Sequence, residues 1–195
     1  MANAIPGTGP LTVEAWVRPA TNFANAILVA NAGNNTGWSL ELNNGQLTLW
    51  VSTNLGWQFS RYATALSAGQ WYHVAGTYGG GQARVFVNGV ASAATNVGTL
   101  TQGTTFRIGG LTGFPYFNGL VDEVRVSNVA RYAANFSVPG APFAGDANTL
   151  ALWSFDEGAG QTTADESPSA NTGTLGSTAG ADSNDPAWVA GYPFP

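Results

Sequence analysis

Cysteine and lysine are both absent from the 195 residues, and histidine occurs once, at His73. Without Cys the chain can form neither disulfides nor thiolate metal sites, so its redox compartment is not written in its sequence. A lone His leaves too few nitrogen and sulfur ligands for a transition-metal centre. Without Lys, all side-chain positive charge falls on six Arg that are scattered singly, on a chain of net charge -5. No basic patch results, which argues against a phosphate-binding or nucleic-acid surface. No run approaches the roughly 18 apolar residues of a membrane span. The opening residues 1–6 carry neither a charged n-region nor an apolar h-region, so the expectation for a secreted protein is a signal lying outside this chain. No internal repeat of about 20 to 50 residues is present.

What the chain does have is glycine, aromatics and uncharged polar residues: 26 Gly, 10 Pro and seven Trp, with 44% apolar and only 9% charged residues. A chain solubilised by amides and hydroxyls reads as many short strands joined by tight turns. Its length suits one large all-β domain able to bury about two-thirds of the unfolded surface. The reading is a single domain over 1–195, with a core at 5–137, a Pro/Gly/Ala-rich linker at 138–148 and a C-terminal strand segment at 149–195.

Period-two alternation marks the strands. Leu11, Val13, Ala15 and Val17 alternate with Thr12, Glu14, Trp16 and Arg18. Ala26 to Ala30 is a short apolar run that ends in a polar loop at 31–37. Asn44-Gly45 and Asn88-Gly89 read as primed hairpin turns, which makes the sheets antiparallel. In the first hairpin, Leu47, Leu49 and Val51 facing the core would turn Thr48, Trp50 and Ser52 outward. Next, Trp57, Phe59 and Arg61 share one side, against Gln58, Ser60 and Tyr62. Trp71 to Tyr78, Ala83 to Asn88 and Thr104 to Gly109 are further strands. The stretch 129–135 is the only candidate helical turn.

Gly119 to Val126 organises the rest. In strict alternation Leu120, Asp122, Val124 and Val126 share the apolar face, so the Asp122 carboxylate needs a compensating partner: backbone N–H groups, Arg107 or a cation. About a dozen short strands at this spacing predict a two-sheet antiparallel sandwich of jelly-roll type.

Four stretches, Leu11 to Pro19, Trp71 to Tyr78, Val85 to Gly89 and Asn118 to Val126, resemble the successive motifs of the LamG-like jelly-roll family of the concanavalin A-like lectin/glucanase superfamily. The resemblance covers about residues 5 to 137. It implies two curved antiparallel sheets, an extracellular or cell-surface location and a binding module. In many members a segment like Leu150 to Gly158 opens the domain; here it closes the chain, a permuted order. That segment is apolar on both faces, and is expected to add a strand beside the one holding Asp122, in its own chain or in a neighbouring copy.

Glucanases of the superfamily set two Glu and an Asp at alternate positions of one strand. No such spacing occurs here, and the adjacent pairs Asp122-Glu123 and Asp156-Glu157 would face opposite ways in a strand. His73 reads as a half-buried sandwich histidine. The chain is therefore read as non-catalytic, with carbohydrate as ligand, since exposed aromatics stack on sugar rings and amide-rich loops supply hydrogen bonds. Trp50 is the first candidate, followed by Trp57, Tyr62 and Trp38. A structural Ca²⁺ at Asp122 and Asp156 is the cofactor expectation. The alternative is a structural subunit of a surface fibre, self-associating through its C-terminal strand.

Overall fold

A computed structural model describes residues 5, 7–21, 25–176, 180–183 and 185–195. The strands, in chain order, are β1 (Leu11–Pro19), β2 (Asn25–Gly33), β3 (Thr36–Asn43), β4 (Gln46–Thr53), β5 (Gly56–Ala65), β6 (Tyr72–Gly79) and β7 (Gln82–Val87). They continue with β8 (Val90–Ala91), β9 (Thr95–Asn96), β10 (Phe106–Ile108), β11 (Gly119–Ser127), β12 (Thr149–Trp153), β13 (Thr162–Thr163) and β14 (Gly173–Thr174). The first sheet runs β12-β11-β1-β6-β7-β8, with β9 also on β7. The second runs β10-β2-β3-β4-β5, and β13 and β14 form a small separate ribbon. Every ladder between named strands is antiparallel.

The two large sheets pack face to face around the expected alternation. Val13, Ala15, Val17, Val74, Val85 and Val124 from the first sheet meet Leu40, Leu42, Leu47, Leu49 and Val51 from the second in one apolar cluster. Each such side chain contributes about 1.5–3 kcal/mol by leaving water, before the cost of ordering it. The turns follow the sequence where Asn and Gly permit positive φ. Asn44 and Gly45 take φ of 51° and 75°, and Asn88 and Gly89 take 48° and 77°. These are the values a primed two-residue turn needs.

The structure departs from the sequence reading at three places. The supposed loop at 31–37 is mostly strand: β2 runs to Gly33, β3 starts at Thr36, and Asn34 and Asn35 turn between them with φ of 52° and 61°. Asn tolerates the left-handed region, so two adjacent Asn made a primed turn where a longer loop was expected. The helical turn expected at 129–135 is absent. There the Arg131 N–H donates to Thr12 Oγ1, Thr12 Oγ1 donates to the Val129 carbonyl, and the Tyr132 hydroxyl reaches Glu14, so the segment is tied to β1 rather than coiled on itself.

The third departure is the strand around which the sequence reading is organised. Between Glu14↔Arg125 and Trp16↔Asp122 the β1–β11 register slips by one residue, with Glu123 at φ 51°. A bulged residue reverses the alternation on either side of it. Asp122 therefore lies opposite Trp16, on the outer side of the sheet, while Val124 and Val126 remain in the core. The left-handed conformation costs a non-glycine residue about 1–2 kcal/mol. On the far side of β11, β12 pairs through Val124↔Trp153 and Arg125↔Leu152.

Candidate functional site

The outer face of the first sheet is sealed. Glu14, His73 and Arg125 project from β1, β6 and β11, the three neighbouring strands, onto this face. Glu14 accepts from Arg125 Nε at 2.9 Å and from the Tyr132 hydroxyl at 2.7 Å, and its Oε2 lies 3.2 Å from His73 Nε2. Burial pushes the Glu14 carboxyl up, but its bonds to His73, Arg125 and Tyr132 outweigh this and hold it below the usual range. His73 is thus fully buried rather than half-buried, walled by Trp16, Phe136 and Phe143 at 5.6–5.8 Å. No substrate could reach it.

Besides the stretch that brings Tyr132 and Phe136, two further segments cover this face. The Pro/Gly/Ala-rich stretch read as a linker lays Phe143 against the Arg125 guanidinium at 4.3 Å. The C-terminal tail stacks Tyr192 on Trp16, with ring centroids 3.5 Å apart and planes within 12°. The bulge fastens both. Glu123 accepts from the Phe143 N–H at 2.6 Å, and Asp122 accepts from the Tyr192 N–H at 2.6 Å and the Glu123 N–H at 3.0 Å. Gly191 is required beside Asp122, since a Cβ there would come within 2.3 Å of Oδ2. Contrary to the sequence expectation, the adjacent carboxylates engage one face together, because the bulge removes the alternation that would separate them.

Burial raises the Asp122 carboxyl above its ordinary value and lifts that of Glu123 to about 7, with neighbouring Asp156 adding to both. The compensation that the sequence required for Asp122 is supplied by two backbone amides. Among the described residues no group of three His, Asp or Glu side chains is disposed to hold a metal ion. Asp122 and Asp156 alone do not make a cation cage.

The outer face of the second sheet is different. Three cross-strand rows lie on it: Ser52 and Trp57; Arg107, Ala30, Ser39, Trp50 and Phe59; and Ile27, Glu41, Thr48 and Arg61. Loop residue Leu111 packs over Ile27, Ala30 and Ala32 at the β2 side. At the β4–β5 side the aromatics stay open, with Trp57 at 37% and Phe59 at 40% exposure. Trp50 is partly exposed, 4.6 Å from the Phe59 ring, and donates Nε1–H to Glu41 Oε1 at 2.8 Å. Asn43 Nδ2 donates to the same oxygen at 3.4 Å. Burial raises the Glu41 carboxyl above the usual range, partly offset by these donors. Arg61 lies across Phe59, 4.8 Å from its centroid, with Nε bonded to Thr48 Oγ1 at 3.0 Å.

Of the four aromatics chosen from sequence, then, the structure brings Trp50 and Trp57 together and sends the other two elsewhere. Trp38 is 3% exposed in the core, 6.3 Å from Phe106, so its ring has no face to offer a ligand. Tyr62 sits on the opposite side of β5 from Trp57 and packs against the core. Phe59, Glu41 and Arg61 were missed, although alternation had already put Phe59 and Arg61 beside Trp57. A depression of about 370 Å³ lined by Arg18, Gly69 and Asn118 lies at an end of the first sheet, away from these aromatics.

No helix among the described residues is long and apolar enough to cross a membrane. A comparison with curated proteins finds no match. Among solved structures, a protein of Bacteroides ovatus ATCC 8483 provisionally described as carbohydrate-binding superposes with a TM-score of 0.66 at 22% identity, over 89% of this chain and 54% of its own. The chain thus spans about half the length of that protein. Domain 4 of AbnA, an extracellular arabinanase of Geobacillus stearothermophilus solved with arabinotriose, gives 0.57 at 26% identity, covering 65% of this chain and 64% of that one. The heptameric SAP-like pentraxin of Limulus polyphemus gives 0.53 at 24% identity, covering 68% and 69%. The Laminin_G_3 family model, of the concanavalin A-like lectin/glucanases superfamily, matches residues 2–137, well over half of the sequence, and the chain belongs to that family.

Proposed function

We propose that this chain is a non-catalytic carbohydrate-binding module that takes an extended glycan on the open face of its second sheet and works outside the cell. The observation that carries the reading is the adjacent pair Trp57 and Phe59, two residues apart on edge strand β5 and over one-third exposed, beside the partly exposed Trp50. Alternate residues of a strand stand roughly 6.6–6.8 Å apart, so the two rings can offer successive apolar surfaces to consecutive sugar units. Beside the rings the half-buried Arg61 offers donors, while Ser39, Ser52 and Glu41 on the same face are only 5–6% exposed. The arabinotriose complex of a structural relative supports a glycan as the ligand class. The non-catalytic part of the reading is supported by the placement of the carboxylates: among the described strand residues of this face Glu41 is the single one and is only 6% exposed, and the Asp122-Glu123 pair is buried beneath the covering segments.

A glycan array probed with the full chain and with a Trp57→Ala/Phe59→Ala variant tests this. Hits that vanish in the variant while its melting temperature holds support the reading; hits that survive unchanged refute it. The calcium expectation has its own check. Equal melting temperatures in EDTA and in millimolar Ca²⁺, which the amide-capped Asp122 leads us to expect, remove a structural ion at Asp122 and Asp156, whereas a rise with Ca²⁺ restores it.

A further inference from the structure

The eleven carboxylates are unevenly placed. Nine lie at or after Asp122, Glu14 is buried in β1, and only Glu41 belongs to the strands of the second sheet. The same strands carry two of the six Arg, Arg61 and Arg107. The open face therefore leans positive on a chain whose net charge is -5.

Arg61 is pre-positioned there. Thr48 holds its Nε, Phe59 lies against its guanidinium, and none of the three ion pairs found among the described residues includes it. Glu41, the one carboxylate at hand, feels the Arg61 charge without forming an ion pair with it, is only 6% exposed and is engaged by Trp50 and Asn43. A guanidinium held against an aromatic ring with only its Nε committed keeps its terminal amino groups for a planar anion, which it binds bidentately and at little entropic cost. A carboxylate set on a pyranose ring fits such a clamp while the ring stacks on the neighbouring aromatics.

We infer that the glycan bound on this face is acidic, one built with uronic acid units, and that Arg61 is the specificity-determining residue that selects it. This rests on the reading of the face as a glycan site, and the experiment separates the two. The full chain is titrated by calorimetry with oligogalacturonate and oligomannuronate, and with the same oligomers after their carboxyl groups have been reduced to hydroxymethyl. An acidic oligomer is expected to bind about tenfold or more tightly than its reduced counterpart, as a charge-assisted bidentate contact implies. That preference should shrink with added salt. Arg61→Gln should abolish it, so that acidic and reduced oligomers bind alike, and Arg61→Lys should retain only part. If reduced and acidic forms bind equally, or Arg61→Gln weakens both alike while Trp57→Ala/Phe59→Ala abolishes binding, the selection of acidic glycans is wrong and the glycan site stands. If neither form binds and the array also shows nothing, both fall.

Discussion

The two outer faces of this sandwich start from the same material and end in opposite states. Both carry Trp, a carboxylate and Arg on alternate strand positions. On the first sheet Glu14 is bonded to Arg125, Tyr132 and His73, and Trp16 is stacked beneath Tyr192. On the second, Glu41 is bonded to Trp50 and Asn43 without an ion pair among the described residues, and Trp57 remains exposed. The difference is made by chain that belongs to neither sheet. The segment at 139–146 and the C-terminal tail close one face, fastened by the Asp122-Glu123 bulge, and leave the other for a ligand. An aromatic and charged constellation is thus structural or functional according to what covers it.

Removing the cover is the most drastic way to break the comparison. Deleting residues 146–195 takes away β12, with Leu152 and Trp153 each only 1% exposed, along with the tail over Trp16. It would bare the β11 edge and a wide apolar face, and the truncated chain should aggregate, as centrifugation of expressed protein would show. A soluble, monomeric 1–145 with an unchanged melting temperature would contradict this.

A smaller but still large effect is expected from Arg125→Ala. It strands the fully buried Glu14 carboxylate with only His73 and Tyr132, and should cost about 3–5 kcal/mol in denaturant unfolding. The corresponding loss of the half-buried Arg61, which gives up one hydrogen bond and a ring contact, should stay within about 1.5 kcal/mol. Similar costs at the two positions would erase the distinction between the faces.

The sealed face should also carry a pH dependence of its own, to which the raised Glu41 carboxyl of the open face adds in the same sense. Glu123 has its carboxyl lifted from an ordinary 4.5 to about 7 by burial. The folded state therefore holds a proton that the unfolded chain has released, and this contribution is present below about pH 4.5 and is lost as pH rises towards 7. The melting temperature should fall over that interval, and Glu123→Gln, which cannot ionise, should flatten the decline. A decline of unchanged slope in the variant would assign it to another group. Glu14 acts in the opposite sense at lower pH: its depressed carboxyl loses stabilisation as it is protonated in acid.

How much of this was legible beforehand divides along the same line. The sheets, the hairpins at Asn44-Gly45 and Asn88-Gly89, and the core positions of β1 and β4 follow from period-two alternation and turn chemistry, which are local. The grouping of Trp57, Phe59 and Arg61 was equally local, and choosing Tyr62 from the opposite set instead ignored it. Trp38 could not be placed by the same means, because its burial depends on packing against Phe106 from a strand some 70 residues away. The bulge at Glu123 was hidden for a related reason. No glycine marks it, and its left-handed Glu123 and the neighbouring Asp122 are held by contacts from residues 143 and 192 respectively, which only the folded chain supplies. Sealing of the first sheet by a stretch rich in Pro, Gly and Ala was likewise illegible, since composition reports a lack of regular structure and not where the segment lies.

The seven Trp give the most direct test of the central claim, that ligand meets the open face and not the sealed one. Each indole N–H yields its own resonance in a ¹⁵N–¹H spectrum, assignable by single Trp→Phe substitutions. Titrating the full chain with a glycan that it binds should shift the Trp57 and Trp50 signals and leave those of Trp16, Trp38 and Trp153 in place. Shifts at Trp16 or Trp71 with Trp57 unmoved would put the ligand on the sealed face and contradict the account.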